Sequence, residues 1–187
     1  CQEKTQTLFK VKDAKGTLKI GFDAEYPPYG YLDVETNQYV GFDIEYAKAV
    51  CEDMNYNLEL VPINWDAKDN ELASGNIDCI WSGFTRNAER EDLYAWTEPY
   101  ADSDIVIMVK KSSNIKTLED LSGKVVSAQK ESSGEQSLLA EPELIATFNK
   151  GEYITCADYN TGFADLEAGG IDALVIDIGV AKDLMTD

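Results

Sequence analysis

Leu72-Ala73-Ser74-Gly75-Asn76-Ile77-Asp78-Cys79 and Leu166-Glu167-Ala168-Gly169-Gly170-Ile171-Asp172-Ala173 place leucine, glycine, isoleucine and aspartate in register, 94 residues apart. Each copy reads as the end of a helix, a left-handed glycine stop and a strand entering a sheet. A unit that occurs twice at this separation divides the chain into two similar α/β halves.

The repeat sits inside a longer alternation of strand and helix patterns that starts at residue 17. Leu18, Ile20 and Phe22 face one way in a short strand after Gly16. Ile44, Ala47, Val50, Cys51 and Met54 then fall at helical spacing, with Asp43 in the N-cap place. A strand over 58–61, a helix over 67–74 opened by Asp66 and stopped by Gly75, and a buried strand over 77–81 follow. This βαβαβ order predicts a mainly parallel sheet covered on both faces. Gly123-Lys124-Val125-Val126 opens the second half as Gly16-Thr17-Leu18-Lys19 opens the first. Between them Ile105-Val106-Ile107-Met108-Val109 reads as a hinge strand. The expected division is a flexible tail over 1–15, a first lobe over 16–108 and a second over 109–187.

Composition narrows the function classes. The 187 residues can form one domain or two small ones, and 44% hydrophobic content with 10% aromatics suffices for a packed core. The net charge of −19 is spread along the chain, and such a surface repels nucleic-acid phosphates and anionic lipid. No apolar run approaches the length of a membrane span. Histidine is absent, which removes the commonest metal ligand and the usual general base, so neither metal nor cofactor is expected. The cysteines at 1, 51, 79 and 156 lack the short spacings of zinc or redox sites. Cys51 and Cys79 fall on neighbouring elements, where a bridge is compatible with an oxidising compartment. Cys1, followed by polar Gln2 to Thr7, reads as the lipidated first residue of a mature bacterial lipoprotein; a chain start that happens to fall at cysteine is the alternative.

In open parallel sheets ligands sit beyond the carboxyl ends of the strands, so the loops there are the positions of interest. After the first strand, Asp23-Ala24-Glu25-Tyr26-Pro27-Pro28-Tyr29 presents two tyrosines and carboxylates on a loop stiffened by proline. After the second stands Trp65. After the third come Ser82, Gly83 and Thr85 with hydrogen-bonding groups, then Arg90, whose fork suits a carboxylate. In the second half Glu131-Ser132-Ser133-Gly134-Glu135 lies at a helix start, where free N–H groups form an anion site. Asp177 ends Ala173-Leu174-Val175-Ile176-Asp177, at the repeat position of Gly83. Each has a plainer reading: an aromatic turn, a core tryptophan, a surface ion pair for Arg90, a helix cap for Ser133 and for Asp177. Together they offer a cation and donors for a carboxylate, an anion for an amine, and aromatic walls, the complement of a zwitterionic α-amino acid.

These segments resemble the polar-amino-acid-binding proteins of bacterial ABC importers (solute-binding protein family 3, with the type II bilobal fold). The resemblance covers roughly residues 18–187. Its most specific stretches are Asp23-x-x-Tyr26-Pro27-Pro28-Tyr29, Gly41-Phe42-Asp43-Ile44, and Asp78-Cys79-Ile80-Trp81-Ser82-Gly83-Phe84-Thr85 leading to Glu89-Arg90. The resemblance implies that Arg90 grips the α-carboxylate, helped by Thr85 and Ser133. The Gly83 carbonyl and Asp177 would take the ammonium group, while Tyr26 and Trp65 flank the side chain and Asp23 lines the far end. Asn87-Ala88 replaces the family's usual Thr-Pro before Glu-Arg. Family members continue with a strand returning to the first lobe and terminal helices. This chain stops at Asp187, so the C-terminal part of that fold is expected to be missing.

The function so implied is extracytoplasmic capture of a free polar amino acid, cationic or amide, between the lobes. Hinge closure would then deliver it to an ABC transporter membrane permease. Such a protein is a monomeric binder and not an enzyme, held to the outer face of the cytoplasmic membrane only through a lipid on Cys1, or else periplasmic. Two rivals differ in class: a cyclohexadienyl-dehydratase-like enzyme on the same fold, with Asp177 or Asp23 as general acid, and a ligand-binding sensory domain of a receptor or kinase.

Overall fold

The structure is a computed structural model that describes residues 4–186. The first half contains strands β1 (Leu8–Phe9), β2 (Thr17–Phe22), β3 (Glu25–Tyr26), β4 (Gly30–Asp33) and β5 (Gln38–Val40), then helix α1 (Phe42–Met54). Strand β6 (Asn57–Pro62), helix α2 (Lys68–Ala73) and strand β7 (Cys79–Ile80) follow. The second half holds β8 (Ile105–Val109), β9 (Val126–Gln129), α3 (Ser133–Leu139), α4 (Pro142–Thr147), β10 (Ile154–Cys156), α5 (Tyr159–Ala168), β11 (Ala173–Asp177) and α6 (Ile178–Leu184).

Each half builds its own sheet. The first has the order β1-β6-β2-β7, with β2 parallel to both neighbours from Thr17 opposite Asn57 to Phe22 opposite Pro62. The second has the order β10-β9-β11-β8, parallel except for β8. The parallel cores β6-β2-β7 and β10-β9-β11 are equivalent, and the repeated octapeptide explains why. Gly75 and Gly169 both stop a helix at positive φ, +77° and +83°. The aspartate that follows pins the central strand of its parallel core, β2 or β9: Asp78 Oδ2 accepts from Lys19 N–H at 2.8 Å, and Asp172 Oδ2 from the N–H of Val125, which leads into β9, at 2.8 Å. Each also donates its own N–H back to the same residue's carbonyl. One local sequence therefore fixes one strand pair, twice.

Ile20, Phe22, Ile44, Ala47, Cys51, Leu58 and Leu60 close the first core. The second sheet is covered on both faces, by Tyr159, Leu166, Leu174, Ile176 and Val180 on one and by Leu121, Val126, Leu138, Phe148 and Val175 on the other. Tyr26 leaves the first lobe to pack into that second core, stacked on Tyr159 with ring centroids 5.7 Å apart. A small antiparallel meander, β3-β4-β5, had no counterpart in the sequence reading.

Four expectations need correction. The tail over 1–15 is not free along its length: β1 pairs with β6, Leu60 N–H donates to Thr7 O at 2.8 Å, and Val11 N–H to Asn57 Oδ1 at 2.9 Å. The division at 108/109 falls inside β8, whose five residues all pair with β11, so this apolar strand belongs wholly to the second sheet. Asp43 does not cap α1; Gly41 precedes the helix and Asp43 lies buried in its first turn. Asp66 likewise sits inside a 3₁₀ turn, Trp65–Ala67, ahead of α2. Cys1 lies outside the described residues.

Candidate functional site

The loops beyond the carboxyl ends of β2, β6, β7, β9 and β10 meet between the lobes around a cavity of about 20 Å3. Asp23, Tyr26, Trp65, Ser82, Gly83, Thr85, Arg90 and Ser133 all line it. Five elements far apart in sequence converge because both sheets present the same ends to the cleft.

Arg90 is the dominant charge. It is 2% exposed, and its backbone is anchored in a turn by Asn87, whose side-chain oxygen accepts its N–H at 3.1 Å. Nη1 donates to Thr85 O at 3.1 Å and Nη2 to Glu131 O at 2.9 Å, while the guanidinium lies 4.6 Å from the Phe84 ring centre. Among the described residues no carboxylate forms an ion pair with it. Burial pushes its pKa down. A buried guanidinium whose only acceptors among the described residues are carbonyls keeps N–H donors and a full charge available to an anion.

The opposite wall is acidic. Asp23 is 6% exposed; its carboxylate accepts from Glu25 N–H at 2.9 Å and, across the cleft, from Gln129 Nε2 at 2.7 Å. Burial raises its pKa from 3.8 to about 6 against those hydrogen bonds. Ser82 Oγ accepts from Asp23 N–H at 3.0 Å, tying the β2 and β7 loops together. Gly83 takes φ +54°, and a Cβ there would stand 2.9 Å from the Tyr26 ring, so only glycine fits. Its N–H donates to Asp43 at 2.5 Å, and the other Asp43 oxygen accepts from Tyr100 O–H at 2.8 Å. Burial also lifts Asp43 to about 6.

The second lobe meets this wall through the start of α3. Glu131 has φ +59°, and its carbonyl accepts from both Arg90 and, at 3.2 Å, Trp65 Nε1. Ser133 Oγ lies 3.4 Å from Thr85 Oγ1, placing the two hydroxyls expected to share a carboxylate side by side. Ser132 caps α3, accepting from Glu135 N–H at 3.1 Å.

Asp177 departs from expectation. It is 2% exposed and does not line the cavity. Oδ1 caps α6, accepting from Gly179 N–H at 2.7 Å and Val180 N–H at 3.4 Å, and Oδ2 accepts from Ser103 Oγ. It stands behind the tyrosines, adding to the burial that lifts Tyr29 to about 12. Two residues that do line the cavity, Gln129 and Tyr159, escaped the sequence reading, and Ser132, quoted there only within the helix start, lines it too. Gln129 ends β9 and Tyr159 follows β10, so the strand-end rule applied as fully to the second half as to the first would have found both.

Among the described residues no three Cys, Asp or Glu side chains come together to hold a metal ion, and no helix is long and apolar enough to cross a membrane. Cys51, Cys79 and Cys156 are free thiols, and burial pushes Cys79 and Cys156 up to about 11.

Residues 18–175 match the bacterial extracellular solute-binding proteins, family 3. The L-cystine-binding protein TcyJ of Escherichia coli K12 is 32% identical over 180 residues, covering 95% of this chain and 65% of its own length. The arginine-binding extracellular protein ArtP of Bacillus subtilis is 33% identical over 118 residues, 63% of this chain and 46% of that protein. Among solved structures, a substrate-binding protein of an ABC uptake transporter from Streptococcus pneumoniae with bound histidine superposes with a TM-score of 0.85 at 36% identity. That match covers 89% of this chain and 68% of the other. The ancestral amino acid-binding protein AncCDT-1, a precursor of cyclohexadienyl dehydratase, superposes at 0.83 with 32% identity, covering 92% of this chain and 74% of its own. These matches cover between 46% and 74% of the relatives' own lengths.

Proposed function

This chain belongs to the bacterial extracellular solute-binding proteins, family 3, and we propose that it captures a free polar amino acid between its lobes for an ABC importer. The observation that carries this reading is the buried Arg90 guanidinium, which lacks an ion-paired carboxylate among the described residues. An α-carboxylate supplies that missing anion, held by Arg90 and by the adjacent hydroxyls of Thr85 and Ser133. The ammonium group goes to the Gly83 carbonyl and to Asp177, whose Oδ2 exchanges Ser103 for the ligand while Oδ1 continues to cap α6. Tyr26 and Trp65 flank the side chain and Asp23 receives its far end, which suits a cationic or amide group. Relatives are named for arginine and L-cystine and one is solved with histidine bound, all polar amino acids.

The lining is almost wholly buried and the lobes are hydrogen-bonded to each other across it, so they part to admit the ligand and close upon it. The closed clamp then docks on a membrane permease, with a lipid on Cys1 as tether and the chain acting as a monomer. A thermal-shift screen of the twenty amino acids tests the reading: a polar amino acid raises the midpoint and is recovered unchanged. Stabilisation by none of them overturns it. The dehydratase reading rests on Asp23, whose pKa of about 6 suits a general acid; ligand consumed during the assay would establish that reading instead.

A further inference from the structure

Lys68 is the second buried cation of the lobe interface, and the reading above gives it no task. It is 2% exposed and opens α2, where its charge opposes the positive end of the helix. None of the ion pairs among described residues includes it. Its ammonium lies 5.3 Å from the centre of the Trp65 ring, which itself lines the cavity. Two of the three carboxylates that act on it serve other groups, Asp69 accepting from the Tyr94 hydroxyl and Asp66 pairing with Lys130 at 3.0 Å, and the third, Glu131, forms no ion pair with it. Burial first, and then the neighbouring Arg90 charge, push Lys68 down, against the pull of Asp69, Glu131 and Asp66.

Two buried cations thus share one wall, Arg90 against Phe84 and Lys68 against Trp65, without a paired carboxylate for either. A helix start is a poor place for such a charge, and desolvation makes it costly there. Residues that break local rules without a local gain mark functional positions. We infer that Lys68 is a second positive charge of the carboxylate subsite, acting on the bound anion through the low-dielectric Trp65 wall rather than by contact. It raises affinity for the α-carboxylate while Arg90 sets its orientation. The inference rests on the amino-acid reading above.

Lys68→Met keeps the aliphatic stem and removes the charge, and Lys68→Arg keeps the charge. The probe is the amino acid that most stabilises the wild-type chain in a screen of all twenty. Two quantities are measured: the thermal midpoint without ligand and the calorimetric affinity. Lys68→Met is expected to raise the ligand-free midpoint, because an unpaired buried charge is gone, while weakening the probe about tenfold; Lys68→Arg keeps affinity within about threefold. An ordinary packing role predicts instead that stability and affinity fall together, and that result overturns the inference, as does unchanged affinity in Lys68→Met. If no amino acid binds wild type, the amino-acid reading itself fails and Lys68 loses its role with it. If one binds and only the Lys68→Met result departs, the amino-acid reading stands and this inference alone falls.

Discussion

At the residue scale the site depends on charges placed where water is scarce. Asp23 shows the consequence for stability. Its carboxyl titrates near 3.8 when unfolded and about 6 when folded, so the folded chain holds that proton more tightly. The resulting stability is present below pH 3.8 and is lost as pH rises through 6. The displacement corresponds to about 3 kcal/mol at most. Urea unfolding of wild type and Asp23→Asn at pH 4.5 and 7.5 checks this: the wild type should lose more stability than the variant between the two. Equal losses would mean that Asp23 is solvated. Asp177 separates two roles: Asp177→Asn keeps a good cap but removes the charge, and should weaken amino-acid binding about tenfold by calorimetry. Unchanged affinity would leave Asp177 as a cap alone. Arg90, Thr85 and Asp23 were legible in the sequence because they follow strands in a recognisable pattern. The task of Asp43 was not, since its partners Gly83 and Tyr100 stand 40 and 57 residues away.

At the scale of elements, the repeated octapeptide carries the fold. A glycine stop and an aspartate that pins the opposing strand are local chemistry, so both strand pairs could be read in one dimension. The edges could not. β1 is two residues long and depends on β6, and β8 looks like a hinge until its ladder with β11 is seen. The entrance to α1 is equally tight. Gly41 has φ +124°, and a Cβ would stand 2.4 Å from the Tyr29 carbonyl oxygen. Gly41→Ala should therefore cost about 2 kcal/mol or more, measured by denaturant unfolding. A loss below about 0.5 kcal/mol would show that the turn relaxes without strain. Because Asp43 follows Gly41 by two residues and holds the Gly83 N–H, the same substitution should loosen the site.

At the scale of the molecule, direct bonds between the lobes bridge the cleft. Gln129 donates to Asp23 at 2.7 Å, Asn87 to Gln136 at 2.7 Å, and Lys130 pairs with Asp66 at 3.0 Å. These contacts close the clamp, and a ligand adds bridges of its own, so its binding shifts the population toward closure. Solution scattering with saturating amino acid should show a smaller radius of gyration than without it; an identical radius would place closure before binding. The central claim is that Arg90 waits for a carboxylate, and calorimetric titration of wild type and Arg90→Ala with the amino acid found by the screen tests it most directly. The wild type should bind one equivalent, and the variant, still folded, should lose about 2–5 kcal/mol, at least about 30-fold in affinity. Affinity in Arg90→Ala within a few-fold of wild type would contradict the account.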